Sequence, residues 1–224
     1  MEGARYDGIA DWYDTEFQPL PLESETWHAL LRLLDGERIG ALIDVGCGTG
    51  SYAAALGAHG WEVTGIDVSE DMLRRARAKG VHALRADAAS LPFADASFDG
   101  AISVFTHTDL DDFRAVVGEI ARVLRPATPF VYVGAHPCFV GPHSTYDVEH
   151  GLPDLHAGWY RQVGRYMEAP GISRSSGLRI RVGANHLPLG AFLQTFLDVG
   201  FRLERIEEPE EREYPYILAV RWRR

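Results

Sequence analysis

The sequence has few cysteines and no long apolar run. Its two cysteines, Cys47 and Cys138, are far apart and lack the paired spacing of a zinc site. We therefore expect neither a disulfide framework nor a metal site. No run of about 18 apolar residues occurs, which argues against a membrane-spanning helix. Residues 1–7 contain no apolar segment of signal-peptide length, so we expect a cytoplasmic protein with reduced thiols.

Positive charge is also scarce. The 224 residues include 22 Lys and Arg against 32 Asp and Glu, a formal net charge of −10. An acidic chain repels phosphate backbones and anionic lipid headgroups, so we expect neither nucleic acid nor a membrane surface as a partner. The length and the 46% hydrophobic content are sufficient for one core. We expect a single domain over residues 1–224, in a monomer or a homodimer.

Short apolar runs alternate with amphipathic segments in the middle of the chain. The pattern predicts strands at 41–45, 61–66, 81–86, 98–105 and 130–135, and helices at 51–59, 69–79 and 111–124. Strands that alternate with crossover helices form a mainly parallel sheet covered on both faces. The sequence therefore predicts an α/β, doubly wound fold.

The flanking segments differ from this alternation. Residues 1–36 include an amphipathic helix predicted at 23–34, and we expect them to form an N-terminal helical cap. Residues 137–187 are rich in Gly, Pro, His and aromatic residues, and the segment is much longer than an ordinary connection between packed elements. We therefore expect an insertion that acts as a substrate lid. Beyond a helix at 189–199, two predicted strands at 201–206 and 216–222 indicate an antiparallel hairpin.

The first predicted strand leads into a glycine-rich loop. Asp44 ends the strand, and Gly46, Gly48 and Gly50 precede the next helix. Such a loop lets a nucleoside-like ligand approach the backbone, with Asp44 as an acceptor. Because Ser51 stands where the dinucleotide fingerprint requires glycine, a nicotinamide-dependent oxidoreductase is only partly supported. The loop alone leaves both kinds of ligand open.

Two further predicted strands are followed by carboxylates. Asp67 ends the second strand and Asp87 follows the third. A carboxylate in the position of Asp67 can accept hydrogen bonds from both hydroxyls of a ribose. A ligand with a ribose and a sulfonium cation suits these acids better than a pyrophosphate does. The acids therefore favour S-adenosylmethionine over NAD.

Six short motifs lie at residues 6–14, 44–50, 65–69, 86–88, 91–93 and 119–126. Together they resemble the successive motifs of class I S-adenosylmethionine-dependent methyltransferases of the small-molecule type, mainly over residues 40–135. The resemblance implies a Rossmann-like seven-stranded sheet, mainly parallel with a C-terminal antiparallel hairpin, and S-adenosylmethionine as cofactor. The family usually continues the last motif with two glycines, whereas this chain has Ala127-Thr128-Pro129, a departure that affects a turn.

The resemblance also implies a set of cofactor-binding residues. Asp44 and the glycines would cradle the methionine part, Asp67 would hold the ribose, and Asp87 with Ala88 would face the adenine. The full set is Tyr6, Tyr13, Asp44, Gly46, Gly48, Gly50, Asp67, Val68, Met72, Asp87, Ala88 and Phe105.

Two tyrosines of the first motif have alternative interpretations. Tyr6 and Tyr13 could close over the cofactor from a mobile helix and exclude water. Alternatively, they could simply dock onto the sheet as hydrophobic residues.

His107 is the candidate catalytic residue, because it follows the fourth predicted strand, which in this family borders the sulfonium and the acceptor. Methyl transfer is an in-line displacement that depends mainly on proximity and orientation, so a base is optional. If the acceptor is a protonated amine or hydroxyl, His107 could remove its proton. Alternatively, His107 is a polar loop residue that satisfies backbone groups or caps the helix near Asp111.

The candidate substrate-binding residues belong to the insertion and its edges: His136, Tyr146, Tyr160 and His186. Such side chains can clasp an aromatic acceptor by stacking, or they can be ordinary packing and surface residues. The sequence thus predicts methyl transfer to an oxygen or nitrogen of a small-molecule metabolite held under residues 137–187. The alternative is a non-methylating enzyme or regulatory protein that binds S-adenosylmethionine on the same fold.

Overall fold

The computed structural model describes residues 4–17, 21–147, 149–171 and 177–224. Parts of the predicted cap and insertion, residues 1–3, 18–20, 148 and 172–176, lie outside the described residues. The helices are α1 (Ala10–Trp12, continued by a π-helical turn Tyr13–Phe17), α2 (Glu25–Leu34), α3 (Ser51–Ala58), α4 (Glu70–Ala78), α5 (Phe113–Val123), α6 (Leu178–Val182) and α7 (Leu189–Asp198), with a 3-10 turn at Pro21–Glu23. The strands are β1 (Ala41–Val45), β2 (Glu62–Asp67), β3 (His82–Arg85), β4 (Gly100–Val104), β5 (Pro129–Ala135), β6 (Ser144–Asp147), β7 (Leu152–Leu155), β8 (Gly164–Tyr166), β9 (Ala184–His186), β10 (Arg202–Glu207) and β11 (Ile217–Arg223).

Seven of these strands form one twisted sheet in the order β10-β11-β5-β4-β1-β2-β3. Strands β1 to β5 run parallel to their neighbours, whereas β11 is antiparallel to both β5 and β10. The predicted fold class, including the C-terminal antiparallel hairpin, is therefore confirmed. From β1 the strand order continues through β2 and β3 on one side and through β4 and β5 on the other. The connections on the two sides of β1 therefore diverge, which opens a crevice at the carboxyl ends of the strands.

Successive side chains of the central strands pack on opposite faces of the sheet. Phe130 and Tyr132 pack with α5 and α7 in one core cluster, whereas Val131 and Val133 pack with α2 and α3 in another. Every residue of β5 is buried, which explains why this strand reads as a continuous apolar run. Both faces are covered by helices, as a doubly wound sheet requires.

Side-chain caps determine where two helices beside the crevice begin. The Ser69 hydroxyl accepts a hydrogen bond from the Met72 amide at 3.3 Å, and the Asp112 carboxylate accepts one from the Ala115 amide at 2.9 Å. These caps satisfy amides that a helix leaves free at its N-terminus. They start α4 directly after β2 and α5 a few residues after β4.

Residues 137–187 contain more regular structure than the sequence pattern suggested. Strands β6 and β7 form one antiparallel pair, β8 and β9 form another, and α6 lies between β8 and β9 in the chain. These strands have only three or four residues each, too few to show a clear period of two in the sequence. Across the described ranges, no helix is long and apolar enough to cross a membrane.

Candidate functional site

A cavity of about 710 Å³ opens at the carboxyl ends of the parallel strands. Its volume is within the range of small-molecule sites. The walls come from the N-terminal segment, the loops after β1, β2, β3 and β4, and α6 of the insertion. The residues of those loops that line it include Gly46, Gly48, Asp67, Val68, Asp87, Ala88, Phe105, Thr106, Asp109 and Asp111.

The three glycines of the first loop have different roles. Gly46, Gly48 and Gly50 all have positive φ, at 76°, 52° and 77°, which other residues rarely adopt. A Cβ on Gly46 would overlap with the Thr106 methyl group, and one on Gly50 would lie 2.7 Å from the Cβ of Ala76. A Cβ on Gly48 would meet nothing within 4 Å. Gly46 and Gly48 line the cavity, whereas Gly50 packs against α4 and lines neither cavity described here.

Asp67 is anchored by two backbone amides. One oxygen accepts a hydrogen bond from the Gly48 amide at 3.0 Å and the other accepts one from the Ser69 amide at 2.9 Å. Burial raises the pKa of Asp67, and these amides act in the opposite direction. Each carboxylate oxygen can accept a further bond, so the anchored group can still hold two hydroxyls of a ligand.

Asp44 occupies a smaller cavity adjoining the first. Its neighbours there include Tyr13, Thr49 and Tyr52. The residue is 3% exposed, and its carboxyl group accepts no hydrogen bond within the described residues. Burial, and secondarily the charge of Asp67, raise its pKa to about 7. An unpartnered buried carboxyl group of this kind favours a cationic ligand group.

The N-terminal segment covers the cavity and is tied to the glycine loop and to α4. Asp14 accepts hydrogen bonds from Thr49 at 2.8 Å and from Lys79 at 2.7 Å. The Tyr6 hydroxyl donates to the Asp109 carboxylate at 3.0 Å, and the ring centroids of Tyr6 and Tyr13 are 6.0 Å apart. Both tyrosines line the cavity, as do the predicted cofactor residues Val68, Met72, Asp87, Ala88 and Phe105.

The structure does not bring His107 to this cavity. The residue is 4% exposed, its Nδ1 is hydrogen-bonded to the Tyr132 hydroxyl, and its ring centroid is 5.4 Å from that of Phe192. Burial, followed by the charges of Arg179 and His186, lowers its pKa to about 3. His107 is therefore a neutral packing residue in this structure, and the geometry does not support its predicted role as a base.

The four predicted substrate-binding residues line neither of the two cavities. His136 Nε2 lies 3.0 Å from the Glu208 carboxylate, and the Tyr146 hydroxyl donates to the Tyr214 carbonyl. The Tyr160 hydroxyl accepts from the Leu189 amide at 3.1 Å, and His186 Nε2–H donates to the Tyr160 carbonyl at 2.8 Å. Three of these bonds tie the insertion and its edge to Leu189, Glu208 and Tyr214 outside it, and the bond from His186 to Tyr160 joins two of its own residues.

Three residues of the insertion that were not predicted do line the cavity, namely Met167, Arg181 and Val182. Arg181 also lies over the Trp12 ring, with its guanidinium carbon 4.8 Å from the ring centroid, so the insertion meets the N-terminal segment. Nothing in the local sequence marks these three residues. Asp109 was also missed, although it lies in the loop after β4 as Asp87 lies in the loop after β3.

Comparisons with known proteins agree with this geometry. Residues 43–131 match the family model described as a methyltransferase domain. The chain is 26% identical to an S-adenosylmethionine-dependent methyltransferase from Mesorhizobium loti, with a TM-score of 0.74 over 90% of this chain and 98% of that one. It is 41% identical over 109 residues to the O-methyltransferase cnsE of Penicillium expansum, which is 43% of this chain and 40% of that protein.

A more extended similarity is to the malonyl-[acyl-carrier protein] O-methyltransferase of Pseudescherichia vulneris. It reaches 31% identity over 158 residues, or 70% of this chain and 57% of that protein. The chain spans about half the length of the curated O-methyltransferases it matches, from 36% to 57% for four of them. Together with the sheet and the cavity, these matches support a class I S-adenosylmethionine-dependent methyltransferase.

The residues present fit S-adenosylmethionine, the cofactor of this class. Gly48 faces open space on the cavity side, which permits close approach of a ligand to the backbone. Asp67 can hold the ribose hydroxyls, and the unpartnered carboxyl of Asp44 suits a positively charged group. Asp87 and Ala88 line the same cavity next to Asp67, where the resemblance assigns the adenine.

Proposed function

We propose that the protein transfers the methyl group of S-adenosylmethionine to an oxygen atom of a small molecule. The observation that carries this proposal is the larger cavity, which is lined by all of the predicted cofactor residues except Asp44 and Gly50. The choice of oxygen is supported by the relatives named O-methyltransferases, including cnsE and the malonyl-[acyl-carrier protein] enzyme.

The cofactor supplies a methyl group on a positively charged sulfur, and transfer forms an oxygen–carbon bond while the carbon–sulfur bond breaks and its electron pair stays on sulfur. The protein contributes binding and orientation, which are the main requirements of an in-line displacement. Asp67 orients the nucleoside end of the cofactor, and the glycine loop lets the cofactor lie close to the backbone. Asp44, in the adjoining cavity, provides a negative charge for the methionine end.

The N-terminal segment provides enclosure. Tyr6 and Tyr13 lie across the cavity, and the bonds of Asp14 to Thr49 and Lys79 hold this segment against the glycine loop. Exclusion of water strengthens the electrostatic contacts to a bound ligand. The segment must move aside for the cofactor to enter, so its polar contacts are expected to control the rate of exchange.

Labelled S-adenosylmethionine and a panel of phenols, carboxylic acids, alcohols and amines test the proposal, with product mass as the readout. Calorimetric titration with adenosylhomocysteine tests the cofactor site separately. Asp67→Asn should weaken adenosylhomocysteine by about 10- to 100-fold, because a charged acceptor for ribose hydroxyls is lost. The exposed Asp35 provides the matched control, and Asp35→Asn should leave the affinity unchanged.

Two results would contradict the proposal. If the wild-type chain does not bind adenosylhomocysteine, or if Asp67→Asn binds it as tightly, the assignment of the cavity is wrong. If the cofactor binds but remains intact with every acceptor, the chain is a non-methylating protein on the same fold.

A further inference from the structure

The Asp109 carboxylate, in the loop after β4, joins two elements that cover the larger cavity. One of its oxygens accepts a hydrogen bond from the Tyr6 hydroxyl of the N-terminal segment at 3.0 Å. The other accepts one from Nη1 of Arg179, in α6 of the insertion, at 2.8 Å. Asp109 and Tyr6 line the cavity, whereas Arg179 does not. Asp109 thus faces the N-terminal segment with one oxygen and the insertion with the other.

Asp111, two residues further along the same loop, repeats this arrangement. One oxygen accepts a hydrogen bond from the Arg5 guanidinium of the N-terminal segment. The other lies 3.3 Å from Nη1 of Arg165, in β8, and 3.2 Å from Nδ2 of Asn185, in β9. Burial acts to raise the pKa of Asp111, but hydrogen bonds from Arg5 and Asn185 outweigh it and hold the pKa below its usual value. The carboxylate is therefore ionised at neutral pH and pairs with a cation on each side.

The insertion is the firmly anchored neighbour of this loop. The Asn185 amide donates to the Thr108 carbonyl at 2.6 Å, and the Asn185 side chain donates to the Leu110 carbonyl at 2.7 Å. Leu178 and Val182 of α6 are buried. Regions with buried apolar contacts and internal hydrogen bonds open least often. The insertion therefore holds the loop in place from its own side.

The N-terminal segment is held less firmly, by polar contacts on two sides of the cavity. On one side, Arg5 and Tyr6 reach the loop after β4. On the other side, the Asp7 carboxylate accepts a hydrogen bond from the Ser69 hydroxyl at 2.7 Å. None of residues 4–9 is buried. A segment fixed mainly by accessible polar contacts opens more readily than a packed one, so the N-terminal segment is the part that moves.

We propose that Arg179 and Arg165 are positioning residues for the cofactor site. They hold the two aspartates of the loop in the orientation that captures the N-terminal segment, and in this way they slow the release of the cofactor. Neither arginine lines either of the two cavities, so neither acts by touching the cofactor. The inference rests on the proposed function, because it places the cofactor under the N-terminal segment.

The effect of Arg179 on Tyr6 passes through Asp109. The side chains of Asp109 and Arg179 are 18% and 26% exposed, so their bond is largely shielded from water. Without the guanidinium, the carboxylate has no fixed orientation, and the Tyr6 hydroxyl loses a fixed acceptor. The Arg165–Asp111 pair is longer, and Asp111 is 63% exposed, so water screens this pair and its contribution is smaller.

The release rate of adenosylhomocysteine tests the inference. It is measured by displacing the bound, labelled compound with an excess of the unlabelled one in a stopped-flow instrument. Arg179→Met should release it about tenfold faster, and Arg165→Met about two- to fivefold faster. Arg179→Lys retains the charge and should lie between the wild type and Arg179→Met. Arg161→Met is the matched control, because Arg161 is an exposed arginine of the same insertion, and its release rate should equal that of the wild type.

A double-mutant cycle separates positioning from a general loss of structure. Tyr6→Phe removes the hydroxyl that Asp109 accepts, so Arg179→Met should accelerate release by about twofold or less when it is added to Tyr6→Phe. Amide hydrogen exchange of the cofactor-free protein provides a second measurement. Residues 4–9 should exchange faster in Arg179→Met but not in Arg161→Met, and the exchange of β1 should stay unchanged in both.

The inference is overturned if neither arginine variant speeds release, or if the effects of Tyr6→Phe and Arg179→Met are additive. If Arg179→Met does not fold, Arg165→Met combined with Arg5→Met provides the same cycle at the second aspartate. The proposed function fails in a different way. In that case the wild type does not bind adenosylhomocysteine, or transfers no methyl group to any oxygen, while residues 4–9 still exchange faster in Arg179→Met.

Discussion

The affinity for adenosylhomocysteine is expected to fall below neutral pH because of Asp44. This residue is 3% exposed, and burial together with the nearby Asp67 charge raises its pKa to about 7. The carboxyl group is therefore about half protonated near pH 7. The cationic methionine end of a ligand prefers its ionised form, so binding and deprotonation are linked.

The size of the effect follows from the pKa. With a value of about 7, roughly nine-tenths of Asp44 is ionised at pH 8 and roughly one-tenth at pH 6. If only the ionised form binds, Kd should rise about tenfold from pH 8 to pH 6 and about a hundredfold from pH 8 to pH 5. About one proton should be released on binding at pH 6.

Calorimetry at several pH values, in two buffers with different ionisation enthalpies, measures both Kd and the released proton. Asp44→Asn should bind more weakly at pH 8 and show little pH dependence, whereas Asp35→Asn should behave like the wild type.

The stability of the fold gives a second readout with a defined sign. The folded pKa lies above the unfolded value of about 4, so the stability that the protonated carboxyl contributes is lost as the pH rises from about 4 to about 7 and stays lost above that range. Asp44→Asn should therefore unfold at a higher temperature than the wild type at pH 8.

A wild-type Kd that stays constant between pH 6 and pH 8 would refute this reasoning. So would proton release that persists in Asp44→Asn, because another group would then be responsible. Thermal unfolding at each pH confirms that the chain remains folded over the range of the titration.

Two further predictions concern stability. His107→Gln should lower the free energy of unfolding by about 1–3 kcal/mol and leave adenosylhomocysteine affinity unchanged, because His107 is hydrogen-bonded to Tyr132 in the core; lost turnover at wild-type thermal stability would restore it as a base. Gly50→Ala should cost more than about 2 kcal/mol in urea unfolding, because a Cβ there would crowd Ala76 and φ is 77°. Gly80→Ala, with φ of 83° and open space around it, should cost only about 1 kcal/mol, and equal losses would show that crowding at Gly50 is unimportant.

The cofactor end could be predicted because its signals are local. Asp44, Gly46 and Gly48 lie within five consecutive positions at the end of a strand. Asp67 and Asp87 each follow the same strand-end rule, and parallel strands bring their carboxyl ends to one edge of the sheet. Knowledge of the fold class was therefore sufficient to bring these residues together.

The strand-end rule does not bring His107 to the cavity, because the chain turns in the loop after β4. Phe105 adopts a positive φ of 55°, rare for a bulky residue, and the chain then turns so that His107 enters the core between α5 and α7. The chain returns to the cavity at Asp109 and lines it from there to Asp112. A backbone conformation of this kind is stabilised by its surroundings, which a single sequence does not show.

The sequence by itself determined the order of strands and helices outside residues 137–187, the doubly wound sheet and the carboxylates beside the glycine loop. These depend on periodicity and backbone preferences that act over a few neighbouring residues. Only the tertiary structure decided which residues of the insertion line the cavity, because Met167, Arg181 and Val182 lie far along the chain from the glycine loop and the strand ends that they meet there. The Arg179–Asp109 bond joins residues 70 positions apart, and the packing of the insertion onto the sheet creates that contact.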